Sequence, residues 1–325
     1  MENNTITKLD SFNIIIIGDL MLDKYIYGKV KRISPEAPVP VFEKHSTTNK
    51  PGGAANVALN IKAMGSTPYL IGLLGEDVEG SELENILNSK DISTDFIVKS
   101  NTRPTTTKTR IMSSGQHILR IDEEDIENIN AEIRKKIIDK FDDLTDSTTI
   151  HGIIFQDYDK GLLDDEIIKY IIRKSKEKNI FTAVDPKFRN FLSYKNVDFF
   201  KPNLKEIGDY VQLPKDITIE KLNNAYQFLK SSINPEKIFI TLSDKGIYYN
   251  SQLKNGILPA SRREIVDVSG AGDVVISIST ILFLMNTDIE KIACISNIAG
   301  GIACGHLGVA VVSKEEILNG IEKVK

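Results

Sequence analysis

Asp267-Val268-Ser269-Gly270-Ala271-Gly272-Asp273 sets two glycines, a small residue and a carboxylate where an apolar run of helical length begins, Val274 to Met285. A helix N-terminus presents unpaired backbone N–H groups and a positive dipole end, and glycines let a phosphate approach that backbone closely. The stretch reads as an anion hole made by Gly270, Ala271 and Gly272. Asp273 behind it can take the proton of an attacking hydroxyl while the N–H groups hold charge developing on a transferring phosphoryl group. The same residues would also serve as a glycine-rich turn capping a core helix, so their partners elsewhere in the chain decide the matter.

The 325 residues are 41% hydrophobic and 26% charged, enough for a sizeable core in one large domain or one and a half. A formal net charge of −4, with Lys and Arg dispersed, argues against nucleic acid as a partner. Cys294 and Cys304 form no Cys-x-x-Cys pair, which suits a reducing cytoplasm better than a disulfide scaffold. The start, Met1 to Asp10, is polar and the longest apolar runs are too short to span a bilayer, so neither a signal peptide nor a membrane partner is expected.

Ile14 to Ile17 is a β-branched run ending in Gly18-Asp19, the pattern of a buried strand that delivers a carboxylate at its end. Thr67 to Gly72, Ile150 to Phe155, Ile180 to Val184, Val197 to Lys201 and Ile238 to Leu242 repeat it. Helical patterns such as Ala54 to Met64, Asp165 to Lys178 and Ile219 to Ser231 lie between. Such alternation predicts a mostly parallel sheet covered on both faces, with ligands at the carboxyl ends of its strands, where Asp19, Gln156-Asp157 and Asp185 emerge. Lys24 to Tyr27 with Val39 to Lys44, and Thr105 to Ile111 with His117 to Ile121, read instead as short antiparallel strands of a lid over that edge. A small sheet with an apolar face would pair with a second copy, giving a homodimer through the lid.

Other residues supply chemistry. Gly52 and Gly53 open a helix and would let a polyol lie against backbone, with Asn56 offering donor and acceptor; helix-start packing explains them equally well. Asp19 and Asp23 could accept neighbouring hydroxyls or sit in an ordinary turn. Asn203 and Glu206, one helical turn apart, suit Mg²⁺ held mainly through water, or a capping box. Lys187 could meet a phosphate, and the turn at Thr241, Ser243 and Gly246 could lie along a nucleotide. No Gly-Lys-Ser or Gly-Lys-Thr ending and no Gly-x-Gly-x-x-Gly after the first strand occur, which weakens P-loop and dinucleotide readings. The four histidines lack metal-ligand spacing.

In this order, Gly18-Asp19, Gly52 to Asn56, Asn203-x-x-Glu206 and Gly270 to Asp273 resemble the ribokinase-like carbohydrate kinases, the PfkB family. The resemblance spans essentially the whole chain. It implies a three-layer α/β/α sandwich with a mostly parallel central sheet and a small antiparallel β-lid, formed by about 23–45 and 103–122, in a single kinase domain over 1–325. It also implies ATP and Mg²⁺ as cofactors, Asp273 as catalytic base, and a nucleotide site at Lys187, Asn203, Thr241, Ser243, Gly246 and Asn297. A monovalent cation beside the Asp267 loop stays open.

Within the family, Arg32 to Val41 (RISPEAPVPV), Lys50 to Asn60, Asp157-Tyr158-x-Lys160-Gly161 and Asp185-Pro186-Lys187 resemble the D-glycero-β-D-manno-heptose-7-phosphate kinases, which phosphorylate the anomeric hydroxyl. That resemblance implies a sugar phosphate at Asp19, Asp23, Gly52, Gly53, Asn56, Lys108, Arg120, Asp157 and Lys160. Arg32, Arg110, Lys187 and Arg189 are further candidate cations for its phosphate. Bifunctional relatives add a C-terminal nucleotidyltransferase domain marked by His-x-Gly-His, which this sequence lacks, so a stand-alone kinase is expected. Val268 stands where the family usually has Thr, and Ser243 where many relatives have Gly. The alternatives are another sugar kinase, of fructokinase or phosphofructokinase type, and a silent sugar-binding regulator.

Overall fold

The computed structural model describes Ile6 and residues 9–211, 217–260 and 265–324. From the N-terminus, β1 (Asn13–Gly18) leads into β2 (Leu20–Ile33), β3 (Pro40–Gly53), α1 (Ala54–Ala63), β4 (Thr67–Gly75), α2 (Val78–Ser89) and β5 (Ile97–Ser100). Next come β6 (Thr107–Ser113), β7 (Gln116–Glu123), α3 (Ala131–Ser147), β8 (Gly152–Gln156), α4 (Asp165–Glu177), β9 (Phe181–Asp185) and β10 (Phe199–Phe200). The order closes with α5 (Leu204–Gly208), α6 (Ile219–Ser232), β11 (Lys237–Thr241), β12 (Ile247–Ser251), β13 (Asn255–Leu258), α7 (Ala271–Leu284), α8 (Ile289–Ala303) and α9 (Lys314–Val324).

The isoleucines of β1 show why three layers form. Ile14 and Ile16 join a core with α1, α2, α7, α8 and α9, while Ile15 and Ile17 join a second core with α3, α4 and α6. A strand's two-residue period sends alternate side chains to opposite faces, so a continuous apolar strand needs helices on both. The sheet runs β13-β12-β11-β10-β9-β8-β1-β4-β5 and is parallel except where β12 and β13 turn back at one edge. This is the ribokinase-like α/β architecture expected from the sequence. Helix α7 starts at Ala271, ahead of Val274, and every residue from Asp273 to Phe283 is buried, as an apolar run without a polar stripe requires. The expected strand Val197–Lys201 is trimmed to Phe199–Phe200, whose rings point one into each core.

The smaller sheet has the order β3-β2-β6-β7. Its outer pairs are antiparallel; the central pair, β2 with β6, is parallel because the chain passes through α1, β4, α2 and β5 between them. Strands β2 and β3 run longer than the apolar alternation suggests, to residues 20 and 53, since backbone pairing continues through the polar, threonine-bearing stretch 45–50. Gly52 and Gly53 thus end a strand, and Gly53 caps α1. Val30, Ile33, Leu119 and Ile121 are exposed on this sheet, and Val39 just before β3. Among the described residues no helix is long and apolar enough to cross a membrane.

Candidate active site

The order of the large sheet reverses between β1 and β8: the chain proceeds through β4 and β5 on one side and through β9, β10 and β11 on the other. Ligands of open parallel sheets bind at the carboxyl ends of the strands beside such a reversal. Asp19 follows β1, Gln156 and Asp185 end β8 and β9, and Lys201 follows β10. Helix α7 brings Asp273 to the same place. Its cap, Gly270, has φ 79°, and a Cβ there would lie 3.0 Å from the Asn56 amide nitrogen, so glycine serves both the left-handed turn and the close approach of α1.

Asp273 is 1% exposed and holds three donors. Asn56 Nδ2 donates to Oδ2 at 2.7 Å; Gln156 Nε2 at 3.0 Å and the Tyr158 hydroxyl at 2.8 Å donate to Oδ1. Burial pushes the carboxyl up to about 7, assisted by the Asp185 charge and opposed by Asn56, Tyr158 and Lys201. A carboxyl poised there exchanges a proton with a hydroxyl near neutral pH.

A charge cluster adjoins it. Lys201 Nζ donates to Asp185 Oδ1 at 2.9 Å, and Gln156 Nε2 lies 3.4 Å from Asp185 Oδ2. A Cβ on Gly272 would sit 3.5 Å from Asp185 Oδ2 and 3.6 Å from Lys201 Nζ, which places this ion pair directly against the α7 N-terminus. Lys187 pairs with Glu206; burial works against its charge, yet Asp185 and Glu206 hold its pKa above the ordinary value. Burial and Asp185 push the Glu206 carboxyl up. Glu206 and Asn203 also form a full capping box on α5, the alternative that their spacing had offered. Among the described residues no three His, Cys, Asp or Glu side chains gather to hold a metal directly.

Beside the α7 N-terminus lies a cavity of about 650 Å³. Asn203, Thr241, Ser243, Gly246 and Asn297 line it together with Gly272, whereas Lys187, the other expected nucleotide residue, is outside the lining and paired with Glu206. Asn297 spends its Nδ2 on the Pro259 carbonyl at 2.8 Å, which holds the β13 edge over the cavity.

The small sheet carries a second group of charges, outside the lining of that cavity. Asp23 is buried on β2 and paired with Arg110 of β6, whose guanidinium stacks over Tyr25 at 5.2 Å. Lys50 of β3 donates to the Leu307 and Val309 carbonyls, joining the lid to the segment before α9. Lys108 lies 3.5 Å from both Asp122 and Glu124, and Lys160 binds Glu124 at 2.8 Å. Arg120 is 57% exposed and turns to Asp122, so Arg110, not Arg120, is the arginine that meets the expected sugar residues. Asp19 and Asp157 are buried under the 157–161 loop: Asp19 Oδ2 accepts the N–H groups of Tyr158 and Lys160, and Asp157 accepts the Tyr194 hydroxyl and the Asp159 N–H. Burial and the nearby Asp19 charge raise Asp157 to about 7. Asp267 accepts the N–H groups of Ser269 and Gly308. Tyr158 and Lys201 were not singled out in the sequence for the contacts they make; the polar residues beside the ends of β8 and β10 were the available signal.

A family model described as pfkB family carbohydrate kinase matches residues 11–316. The chain belongs to the PfkB family and is a carbohydrate kinase. Relatives named Bifunctional protein HldE, from Helicobacter pylori (strain Shi470) and Gluconacetobacter diazotrophicus, are 35% and 34% identical over 304 and 310 residues. The alignments cover 94% and 95% of this PfkB chain but only 65% and 63% of those proteins. Phosphofructokinase-2 from Escherichia coli in complex with potassium superposes with a TM-score of 0.80 at 16% identity, covering 96% of this chain and 99% of that one. Arabidopsis thaliana ribokinase complexed with ribose and ATP gives 0.74 at 16% identity, with the same coverage. These likenesses carry the PfkB fold.

Proposed function

We propose that the protein transfers the γ-phosphoryl group of ATP to the anomeric O1 of D-glycero-β-D-manno-heptose 7-phosphate, giving the 1,7-bisphosphate used for ADP-heptose and lipopolysaccharide core synthesis in the cytoplasm. The observation that carries a kinase mechanism is the buried Asp273 carboxyl in the first turn of α7, next in the chain to Gly272, which lines the 650 Å³ cavity. The heptose assignment rests on the sequence likeness of RISPEAPVPV and its companion segments, supported by the similarity to bifunctional HldE proteins.

In this reading Asp273 takes the O1 proton, the O1 lone pair bonds to the γ-phosphorus, and the bond from phosphorus to the bridging oxygen breaks to release ADP. The N–H groups of residues 270–272 and the Lys201 ammonium face the charge on the phosphoryl oxygens. Glu206 is a buried hard oxygen donor whose charge is disfavoured by burial and by Asp185, and its two oxygens are taken by Lys187 and the Asn203 N–H, so a divalent cation would be met through water rather than directly. Asn203 and Glu206 would hold Mg²⁺ mainly through water, where it neutralises phosphate charge. Lys108, Arg110 and Lys160 face the sugar phosphate, and the exposed apolar residues of the lid pair two copies.

The test is ADP release with Mg²⁺ across D-glycero-D-manno-heptose 7-phosphate, sedoheptulose 7-phosphate, fructose, fructose 6-phosphate and ribose, with the phosphorylated carbon found by NMR. Strong preference for the heptose phosphate with product at C1 is expected. Preference for another sugar would overturn the substrate, and no turnover with any would overturn the mechanism.

A further inference from the structure

Tyr158 reaches the base of the site from a loop that has little freedom. Its backbone N–H is held by Asp19 Oδ2 at 2.8 Å, the next N–H but one by the same oxygen at 3.2 Å, and the N–H between them by Asp157 Oδ1 at 2.9 Å. Arg189 N–H donates to Asp159, and Lys187 Nζ lies 5.5 Å from the centre of the Tyr158 ring. The phenol thus arrives at Asp273 Oδ1 from a rigid mount, as does Gln156 from the end of β8. The Gln156 amide can be oriented only one way: its NH₂ must face the Asp273 and Asp185 carboxylates, and its buried Oε1 has no partner among the described residues.

A carboxylate oxygen has two lone pairs in its plane. Tyr158 and Gln156 occupy both on Oδ1, while Asn56 takes one on Oδ2, leaving a single acceptor position on Oδ2. We propose that Tyr158 is a positioning residue for the base: its hydroxyl fills Oδ1, directs the acceptor hydroxyl of the sugar to Oδ2, and favours the carboxylate form of Asp273 so that the base is ready near neutral pH. This deepens the mechanism above and rests on Asp273 being the base. The charged groups around the pair act in both directions: Asp185 of β9 opposes a charged Asp273, Lys201 after β10 and Lys187 after β9 favour it, and Asp23 of β2 opposes ionisation of Tyr158. Burial and the Asp273 and Asp185 charges hold the Tyr158 phenol well above its ordinary pKa, so it remains a donor throughout the working range.

The experiment is the pH dependence of kcat and kcat/KM, from pH 5.5 to 9.5, for wild type, Tyr158→Phe and Asp273→Asn, each with its thermal unfolding temperature. Tyr158→Phe keeps the ring and removes the donor. Its acid limb in kcat should move up by about half a pH unit or more, with turnover at pH 6.5 falling several-fold and recovering toward wild type above pH 9, and with KM for the sugar little changed. An acid limb superimposable on wild type would overturn the role of Tyr158, as would a loss of kcat that is the same at every pH, which marks a structural effect. Near-normal turnover by Asp273→Asn would instead overturn the base itself, separating the two failures. Should Tyr158→Phe fail to fold, 3-fluorotyrosine at position 158, a stronger donor, must shift the limb downward; an unmoved limb overturns the proposal.

Discussion

Asp273→Asn should make a more stable protein that no longer turns over. The carboxyl has a pKa of about 7 in the fold against an ordinary 3.8. A carboxyl that binds its proton more tightly when folded contributes its full stability below the unfolded value, and that contribution is lost as pH rises through the folded value. Above pH 7, at 1.36 kcal/mol per unit, keeping Asp273 ionised therefore costs the fold about 4 kcal/mol. Asn removes that cost. It also turns its Nδ2 toward the Asn56 Nδ2 that now donates to Oδ2, a donor against a donor, which takes back roughly 1–3 kcal/mol. The net expectation is a gain of about 1–3 kcal/mol at pH 8 that shrinks by roughly 2–3 kcal/mol at pH 5, where the wild-type residue is mostly protonated when folded. Urea unfolding of both proteins at the two pH values, with unchanged slopes, reads this directly. Turnover at pH 8 should fall by about 10²- to 10⁴-fold. A variant less stable than wild type at pH 8, or a stability difference that ignores pH, would refute the picture of a buried carboxylate held charged at the fold's expense.

Arg110→Met leaves Asp23 buried without its cation; urea unfolding should show a loss of about 3–5 kcal/mol at pH 8, smaller at pH 5 as Asp23 takes a proton, and a loss under about 1 kcal/mol would remove the pair from the lid's support. Glu206→Gln should raise the half-saturating Mg²⁺ concentration about tenfold or more in the turnover assay; an unchanged Mg²⁺ response would detach Glu206 from the metal. Leu119→Asp places a charge on the exposed apolar face of β7, and light scattering at micromolar concentration should report a monomer where wild type is a dimer. A wild-type monomer would dispose of lid-mediated assembly.

The layers were legible because their cause is local. Ile14 to Ile17, too apolar for a one-faced strand, has to lie between two helix layers, and the same logic applies to the runs at 150 and 238. The end of β10 was less legible, since a strand of two residues is set by its neighbours β9 and β11 rather than by its own composition. The lid strands ran past their apolar alternation for a related reason: pairing in the polar stretch 45–50 is decided by the partner strand. The choice between Arg110 and Arg120 was invisible, because the two stand opposite each other in the β6–β7 register and only packing turns one toward Asp23.

By itself the sequence determined the places where a backbone must be unusual or a face must be buried. The glycines at 52, 53, 270 and 272, the carboxylate behind the last of them, the Asn203-Glu206 cap and the apolar runs all act within a few residues of themselves, so their physics is written in the order of the letters. The tertiary structure alone decided which polar groups share Asp273. Asn56 is 217 positions from it and Tyr158 115, and the pairing of Lys201 with Asp185 joins the ends of two different strands. Those contacts follow from sheet order and burial, which make an unpaired charge costly and so select partners that no local pattern names.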